Sequence, residues 1–433
     1  MEKLLHYVWK HKIFPLRALL TPYSEEVEVL DVGLSNPNSG PDFFNAKIKI
    51  GDTFWAGNVE LHMRSSDWFK HGHDGDAAYN NTILHVVNII DCEVFAENGK
   101  KIPQLQLDIP ARVERCYSEL CTTEDYPRCH PIIRRLDTFT VHSWMSALLC
   151  ERLESKAELV MERVKKLNGD WENAFFITLA RNFGFGLNGD TFESWGSHLP
   201  FHALGKHRDN SFQIESLFMG TAGLLQMDAV PKGNREAAAE DEYFAKLQKE
   251  YQYLAHKFSL PEPMSCERWQ YLRLRPQNFP HLRIIQLAHL YHKGCLNLSR
   301  VLEAESIEQL QNLLQTQVTE YWETHYLFGC PGPKNEKKLS KASRNLLIIN
   351  TVIPVLYAYG MQHDNETLCN RAIQMLEELR PENNYIIRQW ESCGLSVESA
   401  ADSQALIQLK KEYCDKKECL RCRFGYEFLK SES

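Results

Sequence analysis

The hydrophobic period of this chain changes once, near residue 111, and that change constrains the fold more than any other feature. Before it, residues 27–34, 43–50, 53–63, 82–90 and 102–109 are short, β-rich and separated by turn residues, which predicts strands. Two helical stretches fit around them: Glu2–His11, and a segment from Ser66 as N-cap toward Tyr79, weakened by Gly72 and Gly75. After it, apolar residues recur at helical spacing. Thr138–Lys166 reads as one long amphipathic helix. Others are expected at 171–182, 212–227, 236–257, 281–293, 305–316, 340–360, 364–379 and 400–413, with Pro- and Gly-rich breakers between them. The expected fold is α+β/α/β: a mixed β-sheet flanked by helices over residues 1–111, followed by a large all-α domain over residues 112–433.

Composition narrows the function. Hydrophobic residues at 43% and charged residues at 24% rule out a wholly disordered chain. A balance of 49 basic against 57 acidic residues, net −8, excludes a generally basic nucleic-acid coat protein but leaves room for a local basic groove. The most apolar run, Leu346 to Tyr359, is interrupted by Asn350 and Pro354 and is too short to span a membrane. The first ten residues lack the apolar core of a signal peptide, so thirteen cysteines point to a reducing cytoplasm with mostly free thiols. No phosphate-binding glycine loop is present, and no nucleotide cofactor is expected.

The sharpest local sequence runs from Asn36-Pro-Asn-Ser-Gly-Pro-Asp42 to Gly57-Asn-Val-Glu60-Leu-His62. Asp42 opens one expected strand and Glu60 lies inside the next. A three-residue turn, Gly51-Asp52-Thr53, would set Asp42 opposite His62 and Phe44 opposite Glu60, with Asp42, Glu60 and His62 on one face. A two-residue turn would move Asp42 to the other face. Opposed side chains in such a ribbon have Cβ atoms about 5 Å apart, close enough for two carboxylates to share one hard cation such as Mg²⁺ or Mn²⁺. An imidazole at His62 suits a general base for water at neutral pH. The competing reading makes Asp42 a turn cap and Glu60 and His62 a solvated strand face.

Pro41-Asp42, seventeen intervening residues and Glu60-Leu-His62 resemble the motif of the PD-(D/E)XK nuclease superfamily, the restriction-endonuclease-like fold. The order helix, strand, hairpin, helix, strand resembles that family's core. The resemblance implies a divalent ion held by Asp42, Glu60 and the backbone carbonyl of Leu61, with Glu2 as the acidic residue of the first helix, and hydrolysis of phosphodiesters in nucleic acid, DNA foremost. His62 stands where the family has lysine, and Lys47 and Lys49 have the wrong parity to replace it. The alternative is a catalytically degenerate nuclease fold that acts as a nucleic-acid-binding or scaffold module. The wider chain, through Gly40-Pro-Asp-Phe, Arg275-Pro-Gln-Asn-Phe-Pro280 and Ser403-Gln-Ala-Leu, is similar to an uncharacterised bacterial family of the domain-of-unknown-function type.

Other segments carry weaker signals. His71-Gly-His73-Asp74-Gly-Asp76 reads as solvated loop, with a substrate-contacting loop as its functional reading. His85, inside an apolar run, reads as a core histidine or as an outer partner behind the metal. Cys414, Cys419 and Cys422 would supply three ligands of a Zn²⁺ site or iron–sulfur cluster, with Cys330 or Cys393 as a distant fourth. Around them Lys410, Lys411, Lys416, Lys417, Arg421 and Arg423 form the densest basic cluster, a phosphate contact or a solvated face.

Overall fold

In the computed structural model, which describes residues 1–14, 19–36, 38–294 and 296–431, the chain packs as two compact units. Pro37 of the acidic motif lies outside the described residues. The first unit comprises Met1–Val141, Ser392–Leu395 and Leu409–Ser433, and the second comprises His142–Glu391 and Ser396–Gln408. The division therefore differs from one at residue 111. Its physical reason is the packing of the segment just after the sheet. The helices Ala111–Thr122 and His130–Ile133 bury Val113, Cys116, Leu120, Ile132 and Ile133. They pack with the helix Arg423–Lys430, which contributes Phe424, Phe428 and Leu429. These helices have the period of the helical part but belong with the sheet.

The first unit is built on one mixed sheet. Its strands are β1 (Leu19–Leu20), β2 (Glu26–Asp31), β3 (Leu34–Ser35), β4 (Phe43–Ile50), β5 (Thr53–Arg64), β6 (Thr82–Ile89) and β7 (Gln104–Gln106). They lie in the order β1-β2-β4-β5-β6-β7, with β3 paired to β4. The pairs up to β4–β5 are antiparallel, whereas β5–β6 and β6–β7 are parallel. β1 also touches β7, so the sheet curls toward closure. Helix α1 (Glu2–Lys10) lies against β5 and buries Leu4, Leu5, Val8 and Trp9, which recur at helical spacing. Between β5 and β6 comes α2 (Asp67–Lys70), shorter than the helix expected from Ser66 to Tyr79. The glycines at 72 and 75 break it into two further single turns, His73–Gly75 and Ala77–Tyr79. Ser66 does not cap α2; its hydroxyl donates to Asp91 at 2.8 Å, while Asp67 accepts the amide of Arg64 at 3.0 Å.

The β4–β5 hairpin departs from the expected register twice, and the two departures cancel. Its turn holds two residues, Gly51-Asp52, because Ile50 pairs with Thr53. Continued without interruption, that register would put Asp42 and Glu60 on opposite faces. A β-bulge between Phe43 and Ala46 adds one residue to β4, and beyond it Phe43 pairs with Val59. Asn45 takes the bulge conformation at φ +56°, a left-handed backbone that asparagine tolerates better than most residues. The opposite wall is Gly33, at φ +86°, where a Cβ would come within 2.5 Å of the Phe44 carbonyl oxygen. Replacing Asn45 by Ile is expected to destabilise the chain by about 1–2 kcal/mol, the cost of a branched residue in this conformation, whereas Asn45→Gly stays near wild type. Urea unfolding of the two variants checks this; equal midpoints would remove the bulge's claim to fix the register.

The second unit is helical. The helix Thr138–Lys166, whose first residues belong to the first unit, and the helix Trp171–Phe183 occur where periodicity places them. The stretch 236–257 is divided into Arg235–Ala239 and Glu242–Phe258, because Asp241 caps the second helix by accepting the amides of Tyr243 and Phe244. The stretch 340–360 widens into a π-turn at Ile348–Val352, just before Pro354. Pro354 has no N–H for the Asn350 carbonyl, which instead accepts Asn182 Nδ2 at 2.9 Å. Pro280 opens the helix Pro280–Lys293, and Asn278 just before it accepts from Arg283 Nη2 at 2.5 Å. No helix among the described residues is long and apolar enough to cross a membrane. The twelve described cysteines form no disulfide.

Candidate metal centre

The bulge brings the two acids together. The amide of Asp42 donates to Glu60 Oε2 at 3.0 Å, and the amide of Leu61 donates to Asp42 Oδ2 at 2.9 Å. Each carboxylate thus has one oxygen anchored on the other's strand. Glu60 is buried at 4% exposure, while Asp42 keeps 23% of its side chain open. Helix α1 adds His6, whose Nε2 lies 3.4 Å from Asp42 Oδ2.

The second oxygen of Glu60 faces imidazoles. Oε1 lies 3.3 Å from His73 Nε2 and 3.6 Å from His62 Nε2, and His62 Nε2 lies 3.0 Å from His71 Nδ1. His62, His71 and His73 each offer a ligand atom within 4.8 Å of the others. Metal–ligand bonds near 2.1 Å imply neighbouring ligand atoms about 3.0–3.4 Å apart, so these separations are close to the edges of a coordination shell. His73 Nε2 is buried without a hydrogen-bond partner although a carboxylate oxygen is 3.3 Å away, as when two groups face a common third body. Three imidazoles and one carboxylate move the preferred ion from Mg²⁺ toward Mn²⁺, Fe²⁺ or Zn²⁺.

Aromatic packing holds the shell. Trp68, fully buried on α2, sets its ring edge-on to His73 and Tyr79 and tilted against His85. His73 stacks on Tyr79 at 3.9 Å between centroids. His85 is fully buried, and its Nε2 lies 2.9 Å from His62 Nδ1, the place an outer partner would take if His62 ligated a metal. Both ring nitrogens of His62 are therefore engaged. Burial, with His71 and His73 beside it, pushes His62 down to about 3, so it stays neutral at ordinary pH. A neutral imidazole engaged at both nitrogens is the form a metal ligand takes. His85 is driven well below the usual histidine range by burial and by His62.

Asp42 is pushed up to about 6, by burial first and then by Glu60, with His6 opposing. A carboxyl raised in the folded state contributes stability that is complete below its unfolded value and is lost as pH rises through about 6. In chelator-treated protein the wild type should therefore lose stability between pH 4 and pH 7 relative to Asp42→Asn, on the order of 1–2 kcal/mol after solvent screening. Parallel pH profiles of the two would contradict this.

The family profile with which this chain agrees spans residues 2–385. The chain belongs to that family, described as Protein of unknown function (DUF2851). No curated protein and no solved structure matches it. The matched segment holds the whole carboxylate–imidazole centre, from α1 to His85, and ends before Cys414.

The other expected site residues fall as follows. Glu2 sits one turn before His6 on α1, where its charge acts on Asp42. Leu61 is buried and spends its amide on Asp42. The His71–Asp76 loop is not simply solvated: His71 is exposed, His73 is buried, and Asp76 caps the following turn through the Ala78 amide. Cys414, Cys419 and Cys422 line a separate cavity with Leu120 and Arg128. Of the basic cluster near them, Lys416 and Arg423 are exposed and ion-paired with Glu412 and Glu427, as on a solvated face, whereas Lys410 is paired with Asp415 and lies over the Tyr126 ring with 14% of its side chain exposed.

Proposed function

We propose that the first unit is a divalent-metal-dependent nuclease of the PD-(D/E)XK type whose centre has become rich in histidine. The observation that carries this reading is the convergence of Glu60 Oε1 with the ring nitrogens of His62, His71 and His73, beside Asp42. The topology supports it. Helix α1, the antiparallel strands β2, β4 and β5, helix α2 and then β6 parallel to β5 follow the order that the resemblance implies. Asp42 directly precedes the second of these strands and Glu60 lies in the third. In this reading His62 in the lysine position is a ligand, and three imidazoles take over part of what acidic residues do elsewhere in the superfamily.

A divalent ion at this centre would supply a Lewis acid for a phosphoryl oxygen and a more acidic water. The chain's own residues do the rest. Glu60, His62, His71 and His73 would hold the ion, and His85 orients His62. Trp68 and Tyr79 wall the buried side, while exposed His71 and partly exposed Asp42 and His6 leave the other side open to a phosphodiester.

The test uses full-length protein stripped with chelator and reloaded with Mn²⁺, Mg²⁺ or Zn²⁺, offered single- and double-stranded DNA and RNA. Cleavage that requires metal, and is lost in Glu60→Gln with unchanged circular dichroism, is the expected result. Metal binding without cleavage of any nucleic acid would leave the degenerate binding module instead. No divalent binding at millimolar metal would remove the centre altogether.

A further inference from the structure

We propose a second metal centre in the first unit, held by the thiolates of Cys129, Cys414, Cys419 and Cys422. Local spacing shows only the last three, and neither Cys330 nor Cys393 completes the set. The structure instead brings in Cys129, far upstream, on the turn that leads into the helix His130–Ile133. All four cysteines line one small cavity of about 20 Å³, together with Leu120, Arg128, Tyr413 and Gly425.

The backbone around this cavity is arranged to present the sulfurs. Cys414 ends the wide turn Leu409–Cys414, Cys419 opens the short turn Cys419–Arg421, and Cys422 precedes the helix Arg423–Lys430. A Cβ at Gly425 would come within 2.1 Å of the Cys419 carbonyl oxygen, so only glycine lets that turn fold back on the helix and place Cys419 and Cys422 on one side. Arg128 ties the upstream turn to this loop: its Nη1 donates to the Cys414 carbonyl at 2.9 Å and its Nε to the Thr123 carbonyl at 3.1 Å. The same guanidinium brings a fixed positive charge to a pocket where four thiolates would gather negative charge. Apolar burial alone would account for thiols here, but not for four of them from distant segments converging on one hole beside an arginine.

Soft thiolate ligands select zinc or an iron–sulfur cluster over hard cations. A single zinc with bonds of about 2.3 Å draws its four sulfurs to about 3.8 Å of one another. In an iron–sulfur cluster the thiolates bind separate irons and stand wider apart.

The experiment is elemental analysis with acid-labile sulfide determination on full-length protein, produced in iron-replete medium and purified without oxygen. The expected result is bound metal, either iron with matching sulfide or one zinc per chain. It should be lost from Cys129→Ser as completely as from Cys419→Ser and Cys422→Ser, and kept in Cys330→Ser, Cys393→Ser and Glu60→Gln. Zinc in place of iron, with the same pattern of loss, supports the four-thiolate centre with a single ion. The wild type readout needs no variant to fold: wild type without iron, sulfide or zinc beyond that removed by Glu60→Gln overturns the proposal. Full metal content in Cys129→Ser overturns the fourth ligand. Since Glu60→Gln disables only the carboxylate–imidazole centre, failure at one site does not read as failure at the other.

Discussion

Glu60→Gln should leave the fold intact and weaken divalent-metal binding by more than about 100-fold, beyond the 10–100-fold typical of an outer-shell partner. The glutamine oxygen can still accept the Asp42 amide now bound to Oε2. Its amide NH₂ then faces His62 and His73, where a ligand oxygen is needed. Removing the charge also relieves Asp42, whose carboxyl Glu60 helps hold above the usual range. The metal-free variant should thus be as stable as the wild type or more so. With metal at 1,000 times the wild-type dissociation constant, binding stabilises the wild type by about 4 kcal/mol; a 100-fold weaker site would gain only about 1.4 kcal/mol. Calorimetry and thermal unfolding with and without Mn²⁺ measure both quantities. A variant that binds metal like the wild type would place the ion elsewhere.

Trp68→Ala should produce the larger loss of stability, roughly 3–5 kcal/mol, because a fully buried indole leaves a cavity that its neighbours cannot fill. The neighbours are Tyr79, Val94, Ala96 and Ile102, which with Trp68 form a small core under the centre. The indole N–H also donates to the Phe95 carbonyl at 3.1 Å, and the substitution orphans that oxygen. Against a typical total of about 5–15 kcal/mol, the loss is a large fraction of what keeps a domain folded. Because the same ring supports His73 and His85, metal affinity should fall about 10–100-fold in the fraction that remains native. Trp68→Phe retains most of the packing and should lose less on both counts. Urea unfolding decides; a Trp68→Ala midpoint close to wild type would mean that the loop carrying His73 is held by something other than this core.

What could be read from the residues depended on how local the cause was. Strands β4 and β5 and the helix Thr138–Lys166 follow from periodicity, which is a property of neighbouring residues. Asp42 and Glu60 were legible as a pair through the motif, but the register that joins them was not. A three-residue turn was expected where a two-residue turn and a bulge produce the same side-chain parity, and the hint of the bulge is only an asparagine inside a strand. His71 and His73 were hidden by composition, since a Gly-punctuated loop normally faces water. The signal was Trp68 just before them, an indole that must be buried and draws the loop inward with it. Cys129 lay beyond reach of any spacing argument, because its proximity to Cys414 is set by how helices 111–122 and 130–133 meet the helix 423–430.

The discontinuous first unit has a bearing on the order of assembly. Residues 1–141 lack the helix that packs on 111–122 and 130–133 until 423–430 have been made, after every residue of the helical unit has been added to the chain. The head is therefore unfinished while residues 142–408 are being made, and the thiols at 129 and at 414–422 meet only after that whole stretch. Loading of metal at that junction would then act as a late latch, tying together two segments of the head that are far apart in sequence.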